Sequence, residues 1–308
     1  MESISEIFRI GTGPSSSHTM GPRKAAQQFI EAVPSAVKFD VYLYGSLAAT
    51  GKGHMTDIAI EDVLSPVGEV NIHWCPDFVP QFHTNGMRFV AFDVCGTVLS
   101  DRTVYSVGGG KIVWKEEVSG TAEPPKSVYP MRRISDILEW CERTGKTYWE
   151  YVDECEGEAI WEYLHEVWEV MKSSIQRGLE AEGVLPGGLG VRRKAVSYYM
   201  KASGYSSNLK SRGLVYSYAL AVSEENASGG MIVTAPTCGS CGVLPAVLYH
   251  LYLTREFSEK RILRALATAG IFGNVVKTNA SISGAEVGCQ GEVGVACAMA
   301  AAAASQLF

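Results

Sequence analysis

From Lys277 to Gly294 the sequence reads Lys-Thr-Asn-Ala-Ser-Ile-Ser-Gly-Ala-Glu-Val-Gly-Cys-Gln-Gly-Glu-Val-Gly, setting a cysteine, two acids, two amides and hydroxyls into a glycine-spaced stretch. Polar groups taken out of water cost free energy unless they are partnered. This stretch runs straight into the apolar segment 295–304, so it makes a poor core and a good place to hold a bound group. A thiolate at Cys289 suits iron. The competing reading is a glycine-rich helix-packing seam around an inert cysteine.

A second chemical segment is Gly11-Thr-Gly-Pro-Ser-Ser-Ser-His-Thr19, which carries Ser15, Ser16, Ser17, His18 and Thr19 to the start of a helix opened by Pro22. Free N–H groups and the helix dipole favour an anion there, so a small carboxylate is the expected guest. The imidazole of His18 beside it can move a proton. A serine-rich capping loop is the plainer alternative.

Other candidates carry less. Tyr44-Gly-Ser-Leu-Ala-Ala-Thr-Gly-Lys-Gly-His54 imitates a phosphate loop but fails its spacing: five residues separate Gly45 from Gly51, and Gly53 stands where Ser or Thr should follow Lys52. Lys52 and His54 instead suit a site for an acidic substrate, against a solvated lysine and a structural histidine. Cys238 and Cys241 form one Cys-x-x-Cys, which lacks the two further ligands of a zinc site and the βαβ setting of a redox motif. Lys277 invites a pyridoxal phosphate reading, but no glycine-rich phosphate cup lies beside it.

Several elements must position these groups. Ala25, Ala26, Phe29, Ile30 and Val33 share one face of the Pro22 helix. Val37, Phe39, Val41 and Leu43 alternate as in a half-buried strand, Asn85-Gly86 precedes a strand over 87–94, and a strand pair is expected across Gly108-Gly-Gly110. From about residue 130 the period becomes helical, with Ile160, Trp161, Leu164, Val167, Trp168, Met171, Ile175 and Leu179 at helix spacing. The fold class expected is therefore α+β: an N-terminal α/β domain with a mixed or antiparallel sheet (1–125), a linker with connecting helices (126–160), and a mostly α-helical catalytic domain (161–308). The boundary is placed within 120–129, where Glu-Pro-Pro-Lys reads as a linker.

Composition narrows the function. The 308 residues are 46% hydrophobic and 19% charged, enough for a substantial core. A net charge of −6 and a pI near 5.6 supply no footprint for nucleic acid. The N-terminus lacks the pattern of a secretory signal, and eight cysteines are too sparse for a disulfide scaffold, so a cytoplasmic protein with reduced thiols is expected. The run 293–304 is too short to span a bilayer and reads as a buried helix, with no membrane partner. It stops at Ser305-Gln-Leu-Phe308, and such an apolar helix calls for further packing partners.

Four motifs together, Gly13-Pro-Ser-Ser-Ser-His-Thr19, Leu43-Tyr-Gly-Ser-Leu with Gly51-Lys-Gly-His54, Glu182-Gly-Val-Leu-Pro-Gly-Gly188, and Asn279 through Gly294, resemble the bacterial iron–sulfur L-serine dehydratases in their single-chain form. The resemblance runs through nearly the whole chain. It implies conversion of L-serine to pyruvate and ammonia at a [4Fe–4S] cluster, without pyridoxal phosphate. Carried onto this sequence, Cys289 is the first cluster ligand, Ser15 to Thr19 hold the substrate carboxylate, His18 and His54 transfer protons, and Lys277, Asn279 and Ser281 line the cavity. A homodimer is also implied.

Two departures follow from the same comparison. The family's other two cluster cysteines lie downstream, in a Cys-Asp-Pro motif and a later Pro-Cys, and this sequence reaches neither. The expectation is an incomplete dehydratase that is inactive or nearly so by itself. Cys238 stands where many relatives carry asparagine, so Cys238 and Cys241 are open as substitute ligands or as a thiol pair. Other functions compatible with the sequence are a serine-binding regulatory module without turnover, and a zinc site built from Cys238, Cys241 and Cys289.

Overall fold

The computed structural model describes residues 1–119, 127–282 and 284–308. They form two compact units, one joining Met1–Thr12 to Pro125–Phe308 and the other running Gly13–Pro124. The first contains strand β1 (Ile10–Thr12).

The Gly13–Pro124 unit is built on a five-stranded sheet. Its elements are α1 (Gly21–Ala32), β2 (Lys38–Tyr44), α2 (Gly45–Thr50), α3 (Thr56–Leu64), β3 (Glu69–Cys75), β4 (Gly86–Phe92), β5 (Val98–Gly108), β6 (Lys111–Trp114) and the short α4 (Lys115–Ser119). The strand order is β3-β2-β4-β5-β6, with β2 and β3 parallel and the other pairs antiparallel, so the sheet is mixed. Strand β2 shows the alternation expected of one buried face, with Phe39, Val41 and Leu43 inside. Those residues pack with Phe89 and Ala91 of β4 under Ala25, Ala26 and Phe29 of α1 and Ile60 and Leu64 of α3. Toward the other face, Arg88 of β4 and Asp101 of β5 pair through two hydrogen bonds of 2.7 and 2.5 Å.

The other unit is mostly helical: α5 (Ile134–Thr144), α6 (Tyr148–Glu156), α7 (Ala159–Glu180), α8 (Ala195–Ser203), α9 (Ser207–Ala227), β7 (Met231–Val233), α10 (Val243–Arg255), α11 (Glu259–Asn279) and α12 (Gly284–Leu307). The hydrophobic spacing read from Ile160 onward is α7, whose Leu164, Val167, Trp168 and Met171 lie in the core with Leu244 and Leu248 of α10 and Leu266 of α11. Gly288 has φ 70° and breaks α12, so its long regular part begins at Cys289.

Three sequence expectations change here. Residues 1–12, expected in the α/β domain, belong to the helical unit because Ile4, Ile7 and Phe8 are fully buried in its core. Gly270 and Gly273 on α11 make room for them; a Cβ on Gly270 would stand 2.9 Å from both Ile4 Cβ and Phe8 Cε2. Residues 127–160 are likewise no mere connection, since Ile137, Tyr151, Val152 and Ile160 join the same core. The expected Glu-Pro-Pro-Lys linker at 123–126 lies outside the described residues. Finally, the apolar run near the C-terminus belongs to a longer helix: Val287–Leu307 is long and apolar enough to cross a membrane by length and composition. One face of it, with Val295, Ala296, Met299, Ala303 and Leu307, is instead buried in this unit, while Val293, Cys297 and Ala301 are exposed.

Phe8→Ala tests the place of the N-terminal segment. Loss of a fully buried phenylalanine should cost about 3–5 kcal/mol, read as a lower urea midpoint, whereas a peripheral segment would leave the midpoint nearly unchanged.

Candidate functional site

In the Gly13–Pro124 unit the serine loop becomes a single wide helical turn, Ser16–Met20, that runs directly into α1. Ser15 sets it up: its Oγ accepts from His18 N at 3.1 Å, and its carbonyl accepts from Thr19 N and Met20 N at 3.0 Å each. The amino-terminal end of the helical run therefore lies at Ser16 and not at Pro22, a correction to the expected anion position. The turn is pinned from three sides. Thr19 Oγ1 accepts from Ser15 N and donates to the His54 carbonyl at 2.7 Å. Thr56 donates to the His18 carbonyl at 2.5 Å, and Ser106 donates to the Ser17 carbonyl at 2.7 Å.

These contacts bring the two histidines together, with ring centroids 4.7 Å apart. His18 has Ser17 Oγ at 3.1 Å from Nδ1 and Ser46 Oγ at 3.0 Å from Nε2. Burial first, and then the neighbouring His54, pushes the His18 pKa down to about 4, against a smaller opposing effect of Ser46. His18 is thus neutral near pH 7. His54 Nδ1 lies 2.9 Å from the Thr50 carbonyl, which can only accept, so Nδ1 carries the proton and the neutral ring presents a lone pair at Nε2. The pair can therefore accept a proton at His54 beside a neutral, hydroxyl-bonded His18. Lys52 is exposed, with its ammonium over the Trp74 ring.

In the helical unit the loop Thr234–Gly242 connects β7 to α10. Strands β1 and β7 pair antiparallel, Ile10 opposite Val233, and Thr234 Oγ1 donates to the Ile7 carbonyl at 2.7 Å while accepting from Arg9 N at 2.8 Å. Beyond this anchor, Thr237 and Ser240 bond each other at 3.1 Å, and Thr237 donates to Glu292 on α12. Gly239 is pressed on the same carboxylate: a Cβ there would stand 2.8 Å from Glu292 Oε1. Cys238 and Cys241 are buried and not disulfide-bonded. Burial pushes both thiols up, Cys241 to about 12, and the charge of Glu292 adds to this for each.

Cys289 is exposed and stands one helical turn before Glu292, so the two share a face of α12. Among the described residues, Cys238, Cys241, Cys289 and Glu292 supply no three ligand atoms within 4.8 Å of one another, so they do not form a single-ion site as they stand. Cys289 is accessible, and two further thiols lie in the loop that Glu292 holds; a bound cation is the species that would draw such thiols into the thiolate form.

The remaining expected residues are tied elsewhere in this unit. Lys277 pairs with Glu2 at 2.8 Å, and Asn279 Nδ2 donates to the carbonyls of Arg132 at 2.6 Å and Val275 at 2.8 Å. Ser281 follows α11 and is partly buried. Sequence reasoning assigned no role to Ser46, Thr50, Thr237 or Glu292. Only Glu292 left a usable signal, its spacing of three from Cys289 on one helix.

Fold and site together define a chain whose two segments match separate family models. Residues 3–65 match the serine dehydratase beta chain and residues 83–308 the serine dehydratase alpha chain. The chain belongs to the serine dehydratase family. It is 40% identical to an L-serine dehydratase of Haemophilus influenzae and 40% identical to L-serine dehydratase 2 of Escherichia coli, covering 100% of this chain and 79% of each relative. An L-serine dehydratase of Streptomyces coelicolor is 38% identical over 99% of this chain and 78% of its own length. The Haemophilus match extends over 363 aligned positions against 308 residues here, so that relative carries residues within the matched span that this chain lacks.

The low pKa of His18 has a consequence for stability. Between about pH 6.5 and about pH 4 the unfolded chain binds a proton at this residue that the folded chain does not. The contribution is whole above pH 6.5 and is lost progressively as pH falls toward 4. Urea midpoints across that window should fall less steeply for His18→Gln than for the unaltered chain.

Proposed function

We propose that the protein is an L-serine ammonia-lyase, converting L-serine to pyruvate and ammonia. The observation that carries this is the match to proteins named L-serine dehydratase over the full chain, 34–40% identical. The His18–His54 pair supports it, since the Thr50 carbonyl fixes the His54 proton on Nδ1 and leaves Nε2 as the acceptor.

The reaction removes the α-proton and the β-hydroxyl of serine, giving 2-aminoacrylate and water; the enamine tautomerises, and water then hydrolyses the imine to pyruvate and ammonia. In this reading His54 Nε2 takes the α-proton, with the Thr50 carbonyl fixing the tautomer that leaves the lone pair there. His18 stays neutral and is oriented by Ser17 and Ser46. The hydroxyls of Ser15, Ser16 and Ser17 and the amides opening the turn at Ser16 bind the carboxylate, and Thr19 holds that turn on His54. Cys289 would be a ligand of a [4Fe–4S] cluster, which when bound would supply Lewis acidity for loss of the hydroxyl. Lys277 and Asn279 act through structure, holding the end of α11 on Glu2 and Arg132. A homodimer in the cytoplasm goes with this reading.

Anaerobic reconstitution with iron and sulfide tests it, with cluster absorption, L-serine binding and pyruvate release read together. Protein that takes up a cluster should bind L-serine and release pyruvate. Loss of the cluster spectrum in Cys289→Ser would assign that thiol as a ligand, and loss in Cys238→Ser or Cys241→Ser would add those thiols to it. Where turnover is measured, His54→Ala should lower kcat about 100-fold with the cluster intact, and full turnover would remove His54 from the chemistry. Cluster-loaded protein that binds L-serine without turnover would favour a regulatory module, and folded protein that does not bind it would overturn the dehydratase reading.

A further inference from the structure

Away from both clusters, the outer face of α7 meets the amino-terminal turn of α11 in a third group of chemically capable side chains. His165 and Glu169 are four residues apart on α7 and so point from the same face. Glu259 is the first residue of α11, following Ser258 at its cap. One ligand atom from each of the three lies within 4.8 Å of the others, and His165 Nε2 is 2.8 Å from Glu259 Oε1. Among the described residues no other set of three His, Cys, Asp or Glu side chains meets that distance.

We propose that His165, Glu169 and Glu259 form a divalent-cation site of the zinc type. One imidazole and two carboxylates are a donor set that zinc accepts, with water completing the shell. Two carboxylates neutralise a dication, and the four-residue spacing on a regular helix fixes two of the ligands before the ion arrives. His165 and Glu169 are exposed, so the ligands lose little hydration and the ion has a route from solvent. Glu259 also lines a cavity of about 490 Å³ walled by Trp149, Trp161 and Leu263, which leaves that carboxylate reachable from a second side. Lys172 stands at 2.6 Å from Glu169, placing an ammonium where an ion would otherwise supply the positive charge. The ion and Lys172 therefore compete for one carboxylate. A bound ion would clip α7 to the start of α11.

Cobalt(II), a spectroscopic substitute for zinc, separates this site from the thiols. Thiolate-bound cobalt gives intense sulfur-to-metal charge transfer, whereas a nitrogen and oxygen site gives only weak visible bands. Equilibrium dialysis of the reduced protein with cobalt should show one equivalent bound without charge transfer and displaced by zinc. His165→Ala and Glu259→Gln should each weaken that equivalent at least about tenfold, the scale of disturbing a metal's ligand environment, with circular dichroism unchanged. Lys172→Ala should tighten it several-fold by removing the competing ammonium, an effect that a merely structural role would not produce. Undiminished non-thiolate cobalt binding in His165→Ala, or no cobalt bound without charge transfer in the unaltered chain, would overturn the proposal.

Discussion

The ordering of the cysteine loop rests on the burial of the first eight residues. Ile4, Ile7 and Phe8 enter the helical core, and once they are there the backbone from Ile7 to Thr12 is in place to receive β7. Thr234 bridges the Ile7 carbonyl and the Arg9 amide, so the hydroxyl that closes the strand pair also opens the Thr-Ala-Pro-Thr-Cys segment. Glu292 then meets that segment from α12 through Thr237 and Gly239. Apolar area drives this assembly, at about 25 cal/mol per Å² buried, and the hydrogen bonds choose its register. A site made from residues 234–241 and 289–292 thus depends on side chains hundreds of residues away in the sequence.

The histidine pair obeys a different constraint. Two imidazoles 4.7 Å apart in a partly buried setting cannot both carry charge cheaply, and burial penalises charge on His18 more strongly than His54 does. Backbone carbonyls and hydroxyls do the remaining work. The Thr50 carbonyl selects the tautomer of His54, and Ser46 and Ser17 hold both nitrogens of His18. A neutral His18 beside a His54 whose proton is fixed on Nδ1 results from the turn geometry more than from the identity of any single residue.

Elements whose period matches a buried face were legible in advance: α1 behind Pro22, the alternating β2, the β5–β6 hairpin at the glycines, and α7 with its apolar stripe. Strand β3 was not, because it lies at the sheet edge and none of its residues is fully buried. The chemical residues were legible as types, His18, His54 and Cys289 among them, since polar groups in glycine- and serine-rich segments stand out from the core pattern. Their partners were not. Ser46 and Thr50 look like ordinary helix residues until the chain folds, and Glu2 and Arg132, the partners of Lys277 and Asn279, lie far from them in the sequence.

By itself the sequence determined the α+β class and the family and marked the segments proposed to carry chemistry, because local periodicity and motif spacing are properties of neighbouring residues. Only the tertiary structure decided which unit the N-terminus joins, which histidine holds an open lone pair, and that His165 and Glu169 on α7 meet Glu259 on α11. Each of these is set by contacts between distant residues, whose desolvation and hydrogen bonding exist only after packing.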